Sequence, residues 1–316
     1  MVVLIAGITG NLGTRLAGIA TSRGLQVRGL GRDAKKLDES KTGKLESFVT
    51  MSTYYDIAAL DKAVAGVDAV ICAYTPSAIL DLEGHIILFR AAERAGVKTF
   101  LASSWGHPWP VFGEYEHYDT HIAFKRQVEM TSDLKPVFMN TGCFADLLYG
   151  PFAPGGWDTT NGKPVVEYWG EGNQRKIHWS DMTDIAKWTI DLLQSEDVRA
   201  GKGGTYQMQS GAATLEEFAA AWTKVTGEEV DVVSRGSLED LQKLVYDERK
   251  EKGPRRYIEF LVNATSLLHT RGDFAMTKFD ITESIRKTTT LEEYITSIWK
   301  DRESVQNYIK TLVASH

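Results

Sequence analysis

Hydrophobic and polar positions follow two alternating patterns over the first 150 residues. Short apolar and β-branched runs predict strands, and apolar positions at helical spacing between them predict helices. The predicted strands are residues 2–6, 26–30, 69–74, 99–103 and 136–140, and the predicted helices are residues 12–23, 57–65, 80–95 and 120–132. The strand runs contain few alternating polar residues, which indicates strands buried on both faces. This order is typical of parallel βαβ units and of an α/β fold.

The ends of several predicted helices carry local signals. Gly24 and Gly96 come directly after two of them, at the position where a left-handed backbone favours glycine. Asp56 precedes the helix that starts at residue 57 and is predicted to be its N-cap.

The pattern changes after residue 150. A stretch rich in Gly, Pro and Trp covers residues 151–176 and is interpreted as mostly loop. Further strands are predicted over residues 177–179, 205–209 and 229–233, and further helices over residues 182–193 and 215–226. The remaining chain, to residue 316, is predicted to be mostly helical and is rich in charged residues.

These elements predict a Rossmann-type, doubly wound parallel sheet with a smaller, mostly helical C-terminal lobe. The dinucleotide-binding domain is assigned to residues 1–155, with residues 176–212 returning to it. Residues 156–175 and 213–316 are assigned to a substrate-binding lobe. The cleft between the two is the expected ligand site.

Composition narrows the classes of function. The chain has 316 residues, 43% hydrophobic and 25% charged, with a net charge of −6, which is typical of a globular protein and disfavours nucleic-acid binding. Two cysteines, Cys72 and Cys143, exclude a disulfide framework, and no Cys/His cluster has zinc spacing. No apolar run approaches the roughly 20 residues of a spanning helix. We expect a cytoplasmic monomer or homodimer with a small-molecule substrate, no metal and no membrane partner.

The strongest motif is a glycine-rich loop between the first strand and the first helix. The expected contacts of a dinucleotide pyrophosphate there are Gly7, Thr9, Gly10, Asn11, Leu12 and Gly13. Glycine permits a tight turn and close approach of the backbone, and the helix N-terminus attracts the anion. The alternative is a structural turn without a ligand.

The end of the second predicted strand bears on the choice of cofactor. Arg32 can pair with a 2′-phosphate, and Lys36 lies nearby, which favours NADPH. Asp33 leaves two alternatives open, since it either caps the next short helix or binds a ribose hydroxyl as in NAD enzymes. A solvated basic patch is the third interpretation.

Several segments together resemble a known family. The chain resembles the atypical short-chain dehydrogenases/reductases, and most of all their NmrA-like and isoflavone reductase-like group. The segments that carry this resemblance are the glycine loop and residues 27–33, 65–71, 98–106, 125–144 and 176–186. The resemblance spans about residues 1–226. It implies NADP binding and reduction of small, often phenolic, metabolites. Where many short-chain dehydrogenases have Tyr-x-x-x-Lys, this chain has His121 and Lys125, so the tyrosine is missing.

The predicted catalytic residues are Lys125, His121 and Tyr118. Lys125 is expected to hold the nicotinamide ribose or to polarise a substrate carbonyl, and His121, one helical turn earlier, to relay a proton. Tyr118 and Tyr115 are alternative proton donors. An exposed helix lysine and a surface or capping histidine are the structural alternatives. Ser104 is expected either to bind substrate or to satisfy the strand end.

Further contacts complete the predicted site. The expected cofactor contacts also include Tyr74, Thr75, Ser103 and Lys125, and the expected substrate contacts are Ser104, Trp105, Phe144 and Trp169. Clustered aromatic residues suit an aromatic or polycyclic substrate. The resulting hypothesis is an NADPH-dependent reductase that delivers hydride to a carbonyl, imine, enone or benzylic carbon. The alternatives are an NADP-binding regulator without turnover, and a non-redox lyase or isomerase on the same fold.

Overall fold

A computed structural model describes residues 1–152, 155–158 and 163–300. The strands are β1 Val2–Ala6, β2 Gln26–Gly31, β3 Ser47–Thr50, β4 Ala69–Cys72, β5 Thr99–Leu101, β6 Val137–Asn140, β7 Cys143–Phe144, β8 Trp157–Asp158, β9 Val165–Tyr168, β10 Ile177–Ser180, β11 Gly204–Gln207, β12 Gly211–Ala213 and β13 Asp231–Ser234. The α-helices are α1 Asn11–Ser22, α2 Glu39–Thr42, α3 Ile57–Val64, α4 His85–Arg94, α5 Glu116–Thr131, α6 Met182–Gln194, α7 Glu196–Arg199, α8 Leu215–Thr226, α9 Leu238–Lys252, α10 Leu261–Arg271 and α11 Leu291–Lys300.

Seven strands form one sheet in the order β3-β2-β1-β4-β5-β6-β11, and every neighbouring pair is parallel. The chain moves outward from β1 to one edge and then returns to β4 to build the other half. This arrangement confirms the predicted doubly wound Rossmann-type sheet. The topological switch lies between β1 and β4, so a ligand is expected beyond the carboxyl ends of these strands.

Both faces of the sheet are buried, as the apolar strand runs predicted. On one face Leu60, Phe89 and Phe124 of α3, α4 and α5 pack against the strands. On the other face Leu16 of α1 and Trp188 of α6 are completely buried. Burial of each such side chain contributes about 1.5–3 kcal/mol, so these two layers hold the strand ends in fixed positions.

The local end signals are confirmed. Gly24 and Gly96 have φ values of +77° and +73°. The carboxylate of Asp56 accepts a hydrogen bond from the backbone N–H of Ala59 and caps α3. The structure departs from prediction at two helix starts: the helix predicted from residue 80 begins with a π-helical turn, Leu80–Gly84, and the one predicted from residue 120 begins at Glu116. The strand β3 was not predicted from the sequence.

The stretch over residues 151–176, interpreted from sequence as mostly loop, contains two strands. β9 pairs with β8 and with β13 in a three-stranded sheet. A second small sheet joins β10 to β7 and β12. Within residues 176–212, therefore, β10 lies outside the main sheet, while β11 pairs with β6 inside it.

The C-terminal helices cover the loop that follows β5. Leu241 of α9 and Leu268 of α10 form one buried cluster with Tyr115 and Tyr118. This contact brings the helical lobe over the carboxyl end of the sheet. Among the described residues, no helix is long and apolar enough to cross a membrane.

Candidate active site

The glycine loop connects β1 to the N-terminus of α1. Gly7 has a φ of +80°, and a Cβ there would lie 2.4 Å from the carbonyl oxygen of Ala73. A Cβ on Gly13 would lie 2.3 Å from the carbonyl oxygen of Gly7. A side chain at Gly10 would meet only that same carbonyl, at 3.2 Å, and would otherwise point into open space. Gly7 and Gly13 are therefore required by packing, whereas Gly10 leaves room above the loop.

The N-terminus of α1 is suited to bind an anion. No side chain caps it, and its first turn contains no acidic residue. The side chain of Asn11 accepts a hydrogen bond from Arg15, and the side chain of Leu12 packs in the core, so the first turn offers mainly its backbone N–H groups. Thr9 lies near the end of β2, since a Cβ on Gly31 would be 3.8 Å from its methyl group. Free N–H groups at a helix start are the usual binding site of a phosphate.

The end of β2 distinguishes the two roles considered for Asp33. Its carboxylate accepts a hydrogen bond from the backbone N–H of Lys35 at 2.9 Å and caps the short 3₁₀ turn Ala34–Lys36. Arg32 is exposed, and its guanidinium lies 5.2 Å from the ring centre of Tyr54. Lys36 is exposed at the end of the turn. The structure thus engages Asp33 in capping and leaves the two cations facing solvent.

The predicted cofactor contacts Tyr74, Thr75 and Ser103 follow β4 and β5, and the backbone of Tyr74 lies beside Gly7 of the glycine loop. Tyr74 is buried, and its ring packs edge-on against Tyr54 at 5.0 Å. The hydroxyl of Ser103 donates a hydrogen bond to the carbonyl of Tyr74, and the Ser103 backbone N–H donates to Nε2 of His85. Thr75 is exposed. These side chains therefore join neighbouring strand ends, while Thr75 alone among them faces solvent.

An apolar cavity of about 170 Å³ opens at the carboxyl ends of β5 and β6, beneath the helical lobe. Its wall comes from the loop after β5, from β7 and from α10, and it contains no Asp, Glu, Lys or Arg among the described residues. The lining residues are Pro76, Trp105, Gly106, His107, Tyr115, His117, Tyr118, Gly142, Cys143, Phe144, Leu147, Phe152, Ile258, Leu261 and Thr265. The volume is close to that of an engineered cavity that accepts benzene.

Tyr118 brings a hydroxyl group to this cavity from the first turn of α5. The phenolic oxygen accepts a hydrogen bond from the backbone N–H of His107 at 3.0 Å. That bond uses a lone pair and leaves the phenolic proton free to be donated. Burial raises the pKa of Tyr118 above its ordinary value, so the hydroxyl stays protonated near neutral pH.

Tyr115 also lines the cavity, but its proton is engaged. Its hydroxyl lies 2.6 Å from the hydroxyl of Thr265, which itself donates to the carbonyl of Leu261 at 2.8 Å. Since Thr265 gives its proton to Leu261, Tyr115 is the donor in the first bond. Of the two tyrosines predicted as proton donors, only Tyr118 offers a proton to the cavity.

His121 lies behind Tyr118 in a buried polar cluster. Its Nε2 is 3.9 Å from the carboxylate of Asp81, and its ring stacks on Trp109 at 5.5 Å. Burial raises the pKa of Asp81 and lowers that of His121, so the two are neutral rather than an ion pair. His121 is 6% exposed and does not line the cavity.

Among the described residues, one group has potential metal ligands close together. It consists of Asp81, His85 and His121, whose ligating atoms lie within 4.8 Å of one another. However, Nδ1 of His85 lies 3.0 Å from the carbonyl of Asp81, and its Nε2 accepts the N–H of Ser103 at 3.0 Å. Both nitrogens of His85 are thus engaged by backbone groups. The group is therefore a buried cluster of neutral side chains in which His85 is held by hydrogen bonds to the backbone.

Lys125 is not brought to the cavity. Its ammonium lies 3.9 Å from the carboxylate of Glu129 and 5.5 Å from the ring centre of Phe138. It lines a different surface cleft together with Lys135 and Pro136, which precede β6 at the opposite end of the sheet. The structure therefore separates Lys125 from Tyr118, although both are on α5.

The four predicted substrate contacts divide into two groups. Trp105 and Phe144 line the cavity, and the indole N–H of Trp105 donates to the hydroxyl of Thr189 at 3.1 Å. Ser104 is buried between β5 and β6, where it donates to the carbonyl of Ala102 and accepts the N–H of Met139. Trp169 packs against the lobe core and is not among the lining residues. The structure thus gives Ser104 and Trp169 packing and hydrogen-bonding roles away from the cavity.

Sequence reasoning missed several residues of the cavity wall. His107 and Cys143 follow β5 and β6 and lack a motif that singles them out. Ile258, Leu261 and Thr265 come from a segment without any recognised resemblance, and only the helical spacing of the last two indicated a buried face.

Comparison with known proteins accounts for the combination of sheet, glycine loop and lobe. A family model described as the NmrA-like family matches residues 1–295. The chain belongs to the NmrA-like family. This confirms the resemblance identified from the sequence motifs.

Individual relatives of this NmrA-like protein include plant reductases. A bifunctional pinoresinol-lariciresinol reductase of Linum perenne is 27% identical over 248 residues, which are 73% of this chain and 77% of the relative. A phenylcoumaran benzylic ether reductase of Ginkgo biloba is 23% identical over 73% of this chain and 77% of its own length.

Solved structures agree on the fold of this NmrA-like chain. The binary complex of leucoanthocyanidin reductase with NADPH from Vitis vinifera superposes with a TM-score of 0.69, at 20% identity, over 94% of this chain and 99% of that one. AtPrR2 with NADP+ and (+)-pinoresinol gives a TM-score of 0.71, at 20% identity, over 93% and 97% of the two chains. At these identities the likeness establishes the fold.

Proposed function

We propose that this protein is an NADPH-dependent reductase of a small, uncharged aromatic metabolite. The observation that carries the proposal is the hydroxyl of Tyr118, which has a free proton and lies in an uncharged, aromatic-walled cavity. This cavity is at the carboxyl end of the parallel sheet, the end at which the glycine loop follows β1. The reductases among its relatives support the same class of reaction.

The residues around the glycine loop suit NADPH. The uncapped start of α1 and the open space above Gly10 suit a pyrophosphate, and Arg32 is free to pair with a 2′-phosphate. Asp33, which would serve a 2′-hydroxyl, is already engaged with the backbone of Lys35. When bound, NADPH supplies the hydride for the reduction.

Tyr118 supplies the proton in this proposal. Negative charge develops on the substrate oxygen or nitrogen as its carbon is reduced, and the phenolic O–H donates its proton to that atom. The N–H of His107 then stabilises the phenolate left on Tyr118, since a hydrogen bond to the charged form favours it. Solvent restores the proton before the next turnover.

The cavity wall selects the substrate class. Trp105, Phe144 and Phe152 offer flat apolar surfaces, and a carboxylate or phosphate would lose its hydration without gaining a cation. Burial lowers the pKa of His107 to about 3, so its imidazole is neutral at physiological pH. An uncharged phenolic carbonyl, imine, enone or benzylic ether suits this wall.

The test is oxidation of NADPH, followed at 340 nm, against a panel of phenolic ketones, enones and benzylic ethers. With an active substrate, Tyr118→Phe is expected to lower kcat by about 10²–10⁴-fold, the range of a general acid. Its affinity for NADPH should stay within about twofold of the parent, because no residue of the glycine loop lines the cavity that Tyr118 faces.

Tyr115→Phe is the matched control, since it removes a phenolic hydroxyl from the same cavity without removing a free proton. We expect its kcat to remain within about threefold of the parent. Equal losses in the two variants would contradict the role of Tyr118. Tight NADPH binding without turnover of any substrate would instead favour the regulatory alternative.

A further inference from the structure

We infer that Phe274 is a positioning residue for the proton donor: by stacking on His107, it holds the backbone N–H that orients the hydroxyl of Tyr118. Phe274 lies between α10 and α11, far from Tyr118 in sequence. The inference rests on the proposed function, because it concerns the proton donor assigned there.

The hydroxyl of Tyr118 is sensitive to the loop that follows β5. Its oxygen accepts the N–H of His107 at 3.0 Å, and a Cβ on Gly106 would lie only 2.6 Å from it. The loop therefore contacts the hydroxyl through two consecutive residues. A small displacement of this peptide would break the hydrogen bond or push the hydroxyl out of position.

The two ends of this contact are held differently. The carbonyl of Gly106 accepts hydrogen bonds from the N–H groups of Thr141 and Gly142, at 2.8 and 3.0 Å. Beyond Gly106, the side chain of His107 stacks on Phe274, with ring centres 4.1 Å apart and ring planes at 18°. The imidazole of His107 makes no hydrogen bond with any described residue, and Phe274 is the one described aromatic ring that stacks on it.

Phe274 is itself firmly placed. It is 5% exposed and packs edge-on against Tyr115 at 5.8 Å. Before it, the chain turns at Gly272, which has a φ of +88° at the end of α10. After it, the N–H of Met276 donates to Nε2 of His178 at 3.1 Å. The ring thus presents a fixed surface to His107.

The lobe and the reacting group are therefore connected through one aromatic contact. The path runs from Phe274 through the ring of His107 to its own N–H and then to the oxygen of Tyr118. An aromatic pair of this kind changes an equilibrium by about 2- to 12-fold. Loss of the stack should lower the population of correctly oriented Tyr118 hydroxyl by a similar factor, while the residues that line the cavity stay in place.

The first experiment does not depend on turnover. The seven histidines allow selective ¹⁵N-histidine labelling of the full chain, and the His107 amide signal is assigned by its loss in His107→Phe. Tyr118→Phe removes the acceptor, so it should move the His107 amide proton upfield. We expect Phe274→Leu to move the same signal in the same direction, and Phe274→Tyr, which keeps the ring, to leave it in place.

Phe260→Leu is the matched control. Phe260 is 1% exposed and belongs to the same buried cluster as Phe274, but it does not stack on His107. It should lower the stability of the lobe while leaving the His107 amide signal unmoved. A signal that is unmoved in Phe274→Leu, or that moves equally in Phe260→Leu, would overturn the inference.

Kinetics then test the consequence for proton transfer. With an active substrate, Phe274→Leu should lower kcat by about tenfold and raise the solvent isotope effect, while KM for NADPH stays unchanged. Phe274→Tyr keeps two stacked rings and should retain the parental rate. If no substrate is turned over, the proposed function fails, and the amide shifts still decide whether Phe274 positions Tyr118.

Discussion

Arg32 offers the most direct test of cofactor selection. The guanidinium is exposed, is held near the ring of Tyr54, and lies at the end of β2, where dinucleotide-binding sheets meet the adenosine ribose. A hydrogen-bonded charged pair contributes about 1.5–3 kcal/mol. Arg32→Ala should therefore weaken NADPH binding about 10- to 150-fold, near the lower limit at physiological salt because the site is exposed.

Two neighbouring substitutions separate the contributions. Tyr54→Leu removes the ring that holds the guanidinium, a contact worth about 0.5–1 kcal/mol at exposed sites, so NADPH affinity should fall about 2- to 5-fold. Asp33→Asn keeps a capping side chain and removes the charge. It should leave NADH affinity unchanged within about twofold.

Calorimetric titration of NADPH and NADH into the parent and the three variants measures these effects at 20 and 150 mM salt. NADH affinity should be the same in the parent and in Arg32→Ala, since NADH lacks the 2′-phosphate. Equal parental affinities for the two cofactors would refute the assignment of Arg32. A selective loss of NADH binding in Asp33→Asn would make Asp33 the residue that recognises the ribose.

Three further outcomes are expected. Gly10→Val should abolish dinucleotide binding in calorimetry while circular dichroism stays native, whereas Gly13→Val should unfold the loop because its Cβ has no room. Lys125→Met should retain kcat within about threefold in the 340 nm assay, since the ammonium lies beside Glu129; a loss of 10²-fold would contradict this placement. Burial lowers the pKa of His85 and His269 to about 4. The neutral forms are compatible with burial, so their contribution to stability is complete above about pH 6.5. Between about pH 6.5 and pH 4 each histidine should lower the unfolding free energy of the protein by about 1.4 kcal/mol per pH unit, as measured by urea unfolding at pH 7.5, 6.0 and 5.0.

The main sheet was predictable because its signals are local. Each predicted strand of the first half is a short apolar run, and the glycine loop follows the first of them directly. The edge strand β3, with only Phe48 and Val49 as apolar residues, was not predicted. Capping by Asp56 and the left-handed glycines likewise depend on a few neighbouring residues. Physical constraints that act over five to ten residues leave a pattern in the sequence, and that pattern predicted the architecture.

The small sheet formed by β8, β9 and β13 shows where such reasoning fails. β9 pairs with β13 from residue Val165 to residue Asp231, so its hydrogen-bonding partner lies more than 60 residues away. Its flanking residues are typical of loops. The start of α5 was missed for a related reason, since no side chain caps this helix at Tyr115. In both cases contacts with distant parts of the chain, rather than the local sequence, determine where the element forms.

The position of Lys125 follows from the direction of α5. The helix starts beside the cavity, where Tyr118 lies, and runs toward the opposite end of the sheet, where β6 begins. Helical periodicity placed His121 and Lys125 on one face, and Tyr118 was expected in the loop before the helix. The structure includes Tyr118 in α5, and each residue of a helix also advances about 1.5 Å along the axis. Lys125 is therefore about 10 Å beyond Tyr118, and its ammonium reaches Glu129 rather than the cavity. A periodic pattern determines which face a side chain occupies, whereas the helix start determines its depth, and here the depth places Tyr118 at the cavity.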